Sequence, residues 1–157
     1  MQLNEWSQIS QFQSFRDSPG FLLWKTQITW RRLIEKALQT HGLTHPQFVI
    51  LTNTAYLTKN DTLVTQVELA KHVSCDITTT SQILRCLEKK GLIKRINKAG
   101  NEKSKYPQLT ELGYKILKPA IKTVEEVDKI FFNLLAPSEL NNFKQIALKL
   151  VNDKISS

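Results

Sequence analysis

With 157 residues, 41% of them hydrophobic, the chain is long enough for one domain with a sizeable core and too apolar to remain disordered. Twenty-two Lys and Arg against 14 Asp and Glu give a net charge of +8, which points to a polyanionic partner, nucleic acid or a membrane surface. No apolar run reaches the length of a membrane span, the N-terminus MQLNEWSQIS has no signal-peptide pattern, and two cysteines make no disulfide framework, so a cytoplasmic protein with reduced thiols is expected.

Trp6, Ile9, Phe12 and Phe15 give a short amphipathic start, which Pro19-Gly20 separates from a longer helix over 21–40. That helix carries Leu23, Trp24, Ile28, Trp30, Leu33, Ile34 and Ala37, apolar on more than one side. It therefore needs covering by other elements, another subunit among them. Gly42 ends it. Thr44-His45-Pro46-Gln47 reads as a capping box with proline in the first turn, opening a helix to Leu57. Thr65-Gln66-Val67-Glu68 is a second capping box, opening a short helix to Val73. Asp76 then caps a helix that Gly91 terminates.

Leu92 to Asn97 alternates as a strand does, Lys98 to Ser104 reads as a hairpin turn, and Lys105 to Thr110 returns as a strand. Pro107 in that return suits an edge. Thr110 caps a long helix to Leu135, with Pro119 expected to kink it, and Ala136-Pro137-Ser138 precedes a last helix ending near Lys154. Two helices joined by a short turn and followed by a hairpin make a winged helix-turn-helix. The expected fold is mainly α with a small β-hairpin wing.

The helix after Asp76 reads ITTTSQILRCLEKK. At 3.6 residues per turn, Thr80, Ile83, Leu84 and Leu87 form one stripe, expected to pack on the preceding helix through Val67, Leu69 and Ala70. Thr78, Gln82, Arg85 and Lys89 form the other, with Thr79 and Ser81 beside it. Short hydroxyl and amide groups near a helix start suit base edges in the major groove, and the cations further along suit phosphates. Between 85 and 105 stand Arg85, Lys89, Lys90, Lys94, Arg95, Lys98, Lys103 and Lys105 against Glu88 and Glu102. That is 8 − 2 = +6 of the total +8, a basic patch rather than an evenly solvated surface.

In the long helix, Leu117, Ala120, Val124, Val127, Phe131 and Leu134 recur at spacings of three and four, a heptad-like seam. Leu140, Phe143, Ala147 and Leu150 repeat it in the last helix. Packing within the chain is the alternative, but a helix of this length favours a dimer seam. His41 and His45 are too few for a metal site, and no metal or cofactor is expected. No nucleophile–base pattern or glycine-rich phosphate loop suggests an enzyme. Cys75 and Cys86 read as small buried or half-buried packing residues.

VELAKHVSCDITTTSQILRCLEKKGLIKR, followed by LTELG, resembles the winged helix-turn-helix of the MarR (multiple-antibiotic-resistance regulator) family, and HGLTHPQFVIL resembles its second helix and lead-in. The likeness runs over residues 20–153. It implies one domain over 1–157, with dimerisation helices at 1–40 and 111–157 around a DNA-binding lobe at 44–110. It further implies an obligate homodimer on pseudo-palindromic double-stranded promoter DNA, a repressor released by a small-molecule effector. The resemblance supports the same arrangement: Thr78, Thr79, Ser81, Gln82 and Arg85 as DNA-binding residues, with Arg85 toward phosphates, and Leu117, Val124, Val127, Phe131 and Leu134 as dimer residues. The family's wing carries Asp-x-Arg, for which this chain has Asn101 and Lys103, so Lys103, with Lys105, takes the minor-groove role. An effector, a small aromatic one among the choices, would lie near Trp24, Trp30, Phe48 and Tyr56. The family's peroxide sensors keep their cysteine in the N-terminal helix, where this chain has none. The rival reading is a winged-helix architectural or accessory protein that binds DNA or protein without effector-controlled regulation.

Overall fold

The computed structural model describes residues 3–98 and 101–152, with the side chains of residues 6–97 and 105–152. The order is α1 (Leu3–Ile9), a tight turn at Phe15–Asp17, α2 (Pro19–Leu38), α3 (His45–Leu57), α4 (Gln66–His72), α5 (Ile77–Lys89), β1 (Ile93–Lys98), β2 (Asn101–Leu109), α6 (Glu111–Phe132) and α7 (Pro137–Asn152). Both capping boxes form: the Thr44 and Thr65 hydroxyls accept the N–H of Gln47 and Glu68, whose side chains return to the cap backbones. Pro19 and Gly20 do not stand before α2 but make its first turn. Ser18 caps it from the side chain, and a proline at that position loses no helical hydrogen bond. Helix α6 runs continuously through Pro119.

The wing is an antiparallel pair with register Ile93↔Leu109 to Asn97↔Lys105, shifting to Lys98↔Asn101. Its second strand thus begins four residues before the expected Lys105 (105 − 101 = 4), inside the stretch read as turn. Pro107 pairs with Arg95 and is fully buried. In a two-stranded sheet each strand keeps a free edge, so the missing N–H breaks no interior ladder.

The core gathers Ile34 and Leu38 of α2, Ile50 and Leu51 of α3, Leu69 of α4, Leu84 and Leu87 of α5, and Ile93 of β1. Leu117 and Ala120 of α6 join it, at 3% and 0% exposure. That end of the expected dimer seam therefore packs within its own chain. Val124 and Val127 are half-buried against the same core, Phe131 is half-buried, and Leu134 lies beyond the end of α6 at 86% exposure. Helix α7 buries none of its side chains.

The base of the wing is knotted to the start of α6. The Thr110 hydroxyl donates to the Gly91 carbonyl at 2.6 Å and accepts from the Gly113 N–H at 3.0 Å, and the Thr110 N–H donates to the Leu92 carbonyl at 3.0 Å. A Cβ on Gly113 would stand 2.1 Å from that Leu92 oxygen, so only glycine permits the approach.

Candidate nucleic-acid interface and aromatic cavity

Helix α5 begins where Asp76 Oδ1 accepts the Thr79 N–H at 2.7 Å. Hydrogen bonds from Thr79, its side chain first and its backbone second, hold the Asp76 carboxyl below its ordinary pKa. The three threonines then divide. Thr80 is fully buried, and its hydroxyl donates to the Asp76 carbonyl at 2.9 Å, so the one polar group on the inner face is satisfied. Thr78 and Thr79 stay in water with Gln82, Arg85 and Lys89, and Ser81 is half-buried. Leu84 and Leu87 complete the inner face at 1% and 0% exposure, with Ile83 half-buried beside them.

Leu69 and Ala70 of α4 meet that face, but Val67 does not: it is 56% exposed. Ile77, the first residue of α5, is 50% exposed. It lines a crevice of about 290 Å3 with Gln66, Thr78, Ser81, Gln82 and Arg85. Sequence reasoning missed Ile77, although its spacing of four from Ser81 and eight from Arg85 puts it on the polar face.

Two cations of the basic window are engaged by groups of the chain itself, although Lys90 stays exposed. Lys90 Nζ donates to the Gly42 carbonyl and to Gln47 Oε1, both at 2.7 Å. The Arg95 side chain is only 15% exposed, and its Nε lies 3.3 Å from Glu88 Oε2, close enough for an ion pair but not aligned as a hydrogen bond. Arg85, Lys89, Lys94 and Lys105 remain exposed. Lys103 and Lys98 fall outside the residues whose side chains are described. Cys75 is half-buried, but Cys86 is exposed rather than packed, and Gln47 Nε2 donates to its sulfur at 3.4 Å.

The four aromatic residues expected around an effector are not brought together. Phe48 is core at 8% exposure. Tyr56 stacks on His72 at the surface, with Lys59 Nζ 4.0 Å from its ring centroid. Trp24 is 58% exposed and touches Phe21. Trp30 lines a cavity of about 270 Å3 between α2, α6 and α7, where Asp128, Phe131, Phe132 and Phe143 join it. Trp30 Nε1 donates to Asp128 Oδ1 at 2.7 Å. Edge-on to Trp30 stands His45, whose pKa is lowered by burial first and by the nearby Arg31 second. His41 bonds the Thr123 hydroxyl at 2.8 Å. Among the described residues no cluster of three or more His, Cys, Asp or Glu could hold a metal. Among them, too, no helix is long and apolar enough to cross a membrane.

Residues 43–105, from the turn before α3 into β2, match the model of the MarR family. The chain is 39% identical over 128 residues to the uncharacterized HTH-type transcriptional regulator YdcH of Bacillus subtilis, covering 82% of this chain and 86% of that one. The chain belongs to the MarR family. It is 32% identical to the HTH-type transcriptional repressor Rv2887 of Mycobacterium tuberculosis, over 87% of this chain and 96% of the other. The structure of the M. tuberculosis protein in complex with p-aminosalicylic acid superposes with a TM-score of 0.67, at 27% identity over 86% of this chain and 99% of that one. Bordetella bronchiseptica BpsR shares the fold at a TM-score of 0.80 and 18% identity, over 90% and 98% of the two chains; its DNA binding is regulated by 6-hydroxynicotinic acid. As a MarR protein, the chain is a DNA-binding transcriptional regulator of the winged-helix kind, and the family is one of regulators rather than enzymes.

Proposed function

We propose that the chain is a cytoplasmic, homodimeric repressor that reads a pseudo-palindromic operator with α5 and is released by a small molecule. The observation that carries this reading is the two-faced α5. Its inner side is filled by Thr80, Leu84 and Leu87, which leaves Thr78, Thr79, Ser81, Gln82 and Arg85 free to meet base edges and phosphates. Ile77 adds an exposed apolar side chain suited to a thymine methyl. On the family's pattern, Lys103 and Lys105 of the wing reach the DNA backbone or minor groove.

In this reading residues 44–110 are the DNA-binding lobe, and 1–40 with 111–157 join two copies. Support comes from the apolar surface that α2, α6 and α7 leave in water: Leu23, Leu33, Ile130, Ile146 and Leu150, each more than 40% exposed. Between α2 and α6 a groove of about 330 Å3 is lined by Leu33, Lys36, Ala37, Val127 and Ile130. Partner helices bury such faces in a dimer.

The test is recovery of preferred duplexes from a random pool with the purified protein. A pseudo-palindrome with half-sites about one helical turn apart is expected. Binding that ignores sequence would favour the architectural alternative.

A further inference from the structure

Between α4 and α5 runs a crevice that belongs to neither of the faces given to a second copy of the chain. One wall is Gln66, in the first turn of α4; the other is the outer face of α5, through Ile77, Thr78, Ser81, Gln82 and Arg85. The turn that joins the two helices is closed by the Cys75 N–H on the Ala70 carbonyl at 3.0 Å, with Ser74 left-handed at a φ of 53°. The buried Thr80 and Leu84 anchor the opposite side of α5. The width of the crevice is therefore set before anything enters it. Ile77 keeps 50% of its surface exposed there. Around it the side chains of Gln66, Ser81, Gln82 and Arg85 make no hydrogen bond among the described residues.

We propose that this crevice is a site for the 5-methyl group of a pyrimidine, so that operator affinity depends on that methyl at one position in each half-site. A phosphate does not suit it. The starts of both helices already hold carboxylates of their own: Glu68 Oε2 accepts the Thr65 N–H and Asp76 Oδ1 accepts the Thr79 N–H, each at 2.7 Å. Those charges repel the anion that a helix start otherwise attracts. Arg85, the charged member of the lining, stands two turns along α5 from Ile77. An uncharged base edge meets no such obstacle. The Ser81 hydroxyl and the two glutamine amides can each donate or accept, so they bond thymine O4 and cytosine N4 alike. Ile77 makes the distinction, because its apolar side chain meets the carbon-5 substituent, a methyl on thymine and a hydrogen on cytosine. A 5-methylcytosine presents that same methyl and should stand in for thymine, which makes the site sensitive to cytosine methylation. The inference deepens the reading in which α5 meets base edges, and rests on it.

The test uses the full-length protein and the duplex it selects from a random pool. Each thymine is replaced in turn by deoxyuridine, which lacks only the methyl, and affinity is read by fluorescence anisotropy. At one position per half-site the loss should weaken binding about fourfold, as burial of one methyl group supplies. At that position 5-methylcytosine should bind about fourfold more tightly than cytosine. Ile77→Ala should erase both differences there and melt as the parent does, since half of the side chain is already in water. Ile77→Val, which keeps an apolar wall, should retain most of each. Deoxyuridine that is harmless at every thymine, a methyl effect that survives Ile77→Ala, or 5-methylcytosine that binds no better than cytosine would overturn the site. A preferred duplex whose affinity ignores these methyls overturns the crevice alone. A pool that yields no preferred duplex overturns base reading by α5, and the crevice with it.

Discussion

Helices α5 and α7 are both amphipathic, and the chain treats them in opposite ways. In α5 the apolar stripe is consumed: Leu84 and Leu87 are buried against α3 and α4, and even the polar Thr80 is enclosed with its hydroxyl bonded. In α7 the stripe is left open, with Phe143, Ile146, Leu150 and Val151 at 41%, 59%, 62% and 80% exposure. The contrast separates two kinds of unfinished surface. What α5 leaves over is polar and cationic and suits a polyanion. What α7 leaves over is apolar and suits another copy of the same face.

The largest effects should come from breaking each stripe in turn. Leu84→Ala empties a site that is 1% exposed and should lower stability by about 3 kcal/mol at every protein concentration. Ile130→Asp, at a residue 64% exposed in the single chain, should leave that chain folded. It should raise the dimer dissociation constant more than about a hundredfold, because a charge would be buried unpaired between two copies. Sedimentation equilibrium beside melting curves at two concentrations reads both. An Ile130→Asp protein that dimerises like the parent would show that the open face is not what joins the copies.

Within α5 the comparison sharpens between neighbouring turns. Gln82→Ala should relax base preference at one position per half-site, by about 1–3 kcal/mol, and spare non-specific affinity. Thr80→Ala should lower the melting temperature and keep the preferred sequence, since its side chain is fully enclosed. Binding-site selection on both variants checks this, and a shifted sequence for Thr80→Ala alone would reassign the reading face. A smaller change is expected in the wing. Lys103→Ala should weaken specific and non-specific binding alike and make the log–log salt slope shallower by about one unit. An unchanged slope would place the wing off the DNA.

The smallest effect concerns the cap of α5. The Asp76 carboxyl is held below its ordinary pKa in the folded chain, so its contribution to stability is present above the unfolded value. That contribution fades as pH falls through the lower folded one. The amide resonance of Thr79 should therefore report a titration below the ordinary aspartate value in the parent. Asp76→Asn, which keeps an acceptor and does not ionise, should abolish that titration. A Thr79 amide that titrates in both proteins would point to another group.

The features legible in the sequence were those written in local order. Thr44, Thr65, Asp76 and Thr110 each cap their helix from the side chain, and Gly42 and Gly91 take the left-handed conformation just beyond helical turns. The division of α5 followed from helical period alone, because one chain segment decides it. Three kinds of feature were not legible. A stripe such as Leu117 to Leu134 has the same period whether its partner is the same chain or another, and Leu117 chose its own chain. Pro19-Gly20 has the composition of a break and serves as a helix start once Ser18 caps it. Assembly across distance was the third. Trp24, Phe48 and Tyr56 share ring chemistry with Trp30, yet the cavity is set by a hydrogen bond spanning 98 residues, to an aspartate that no local pattern marks.

The knot at Thr110 and Gly113 makes α6 a lever. Its 22 residues span about 33 Å, with the wing and the end of α5 fastened at one end and the aromatic cavity near the other. A rigid rod of that length tilted by about 5° displaces its far end by about 3 Å, close to the spacing of one base step. Gly113 fixes how little slack the fulcrum has, because backbone rests there against backbone with no side chain to compress. Held at that fulcrum, the wing end can answer a shift at the ring end by tilting but not by sliding, so the rod transmits angle rather than distance.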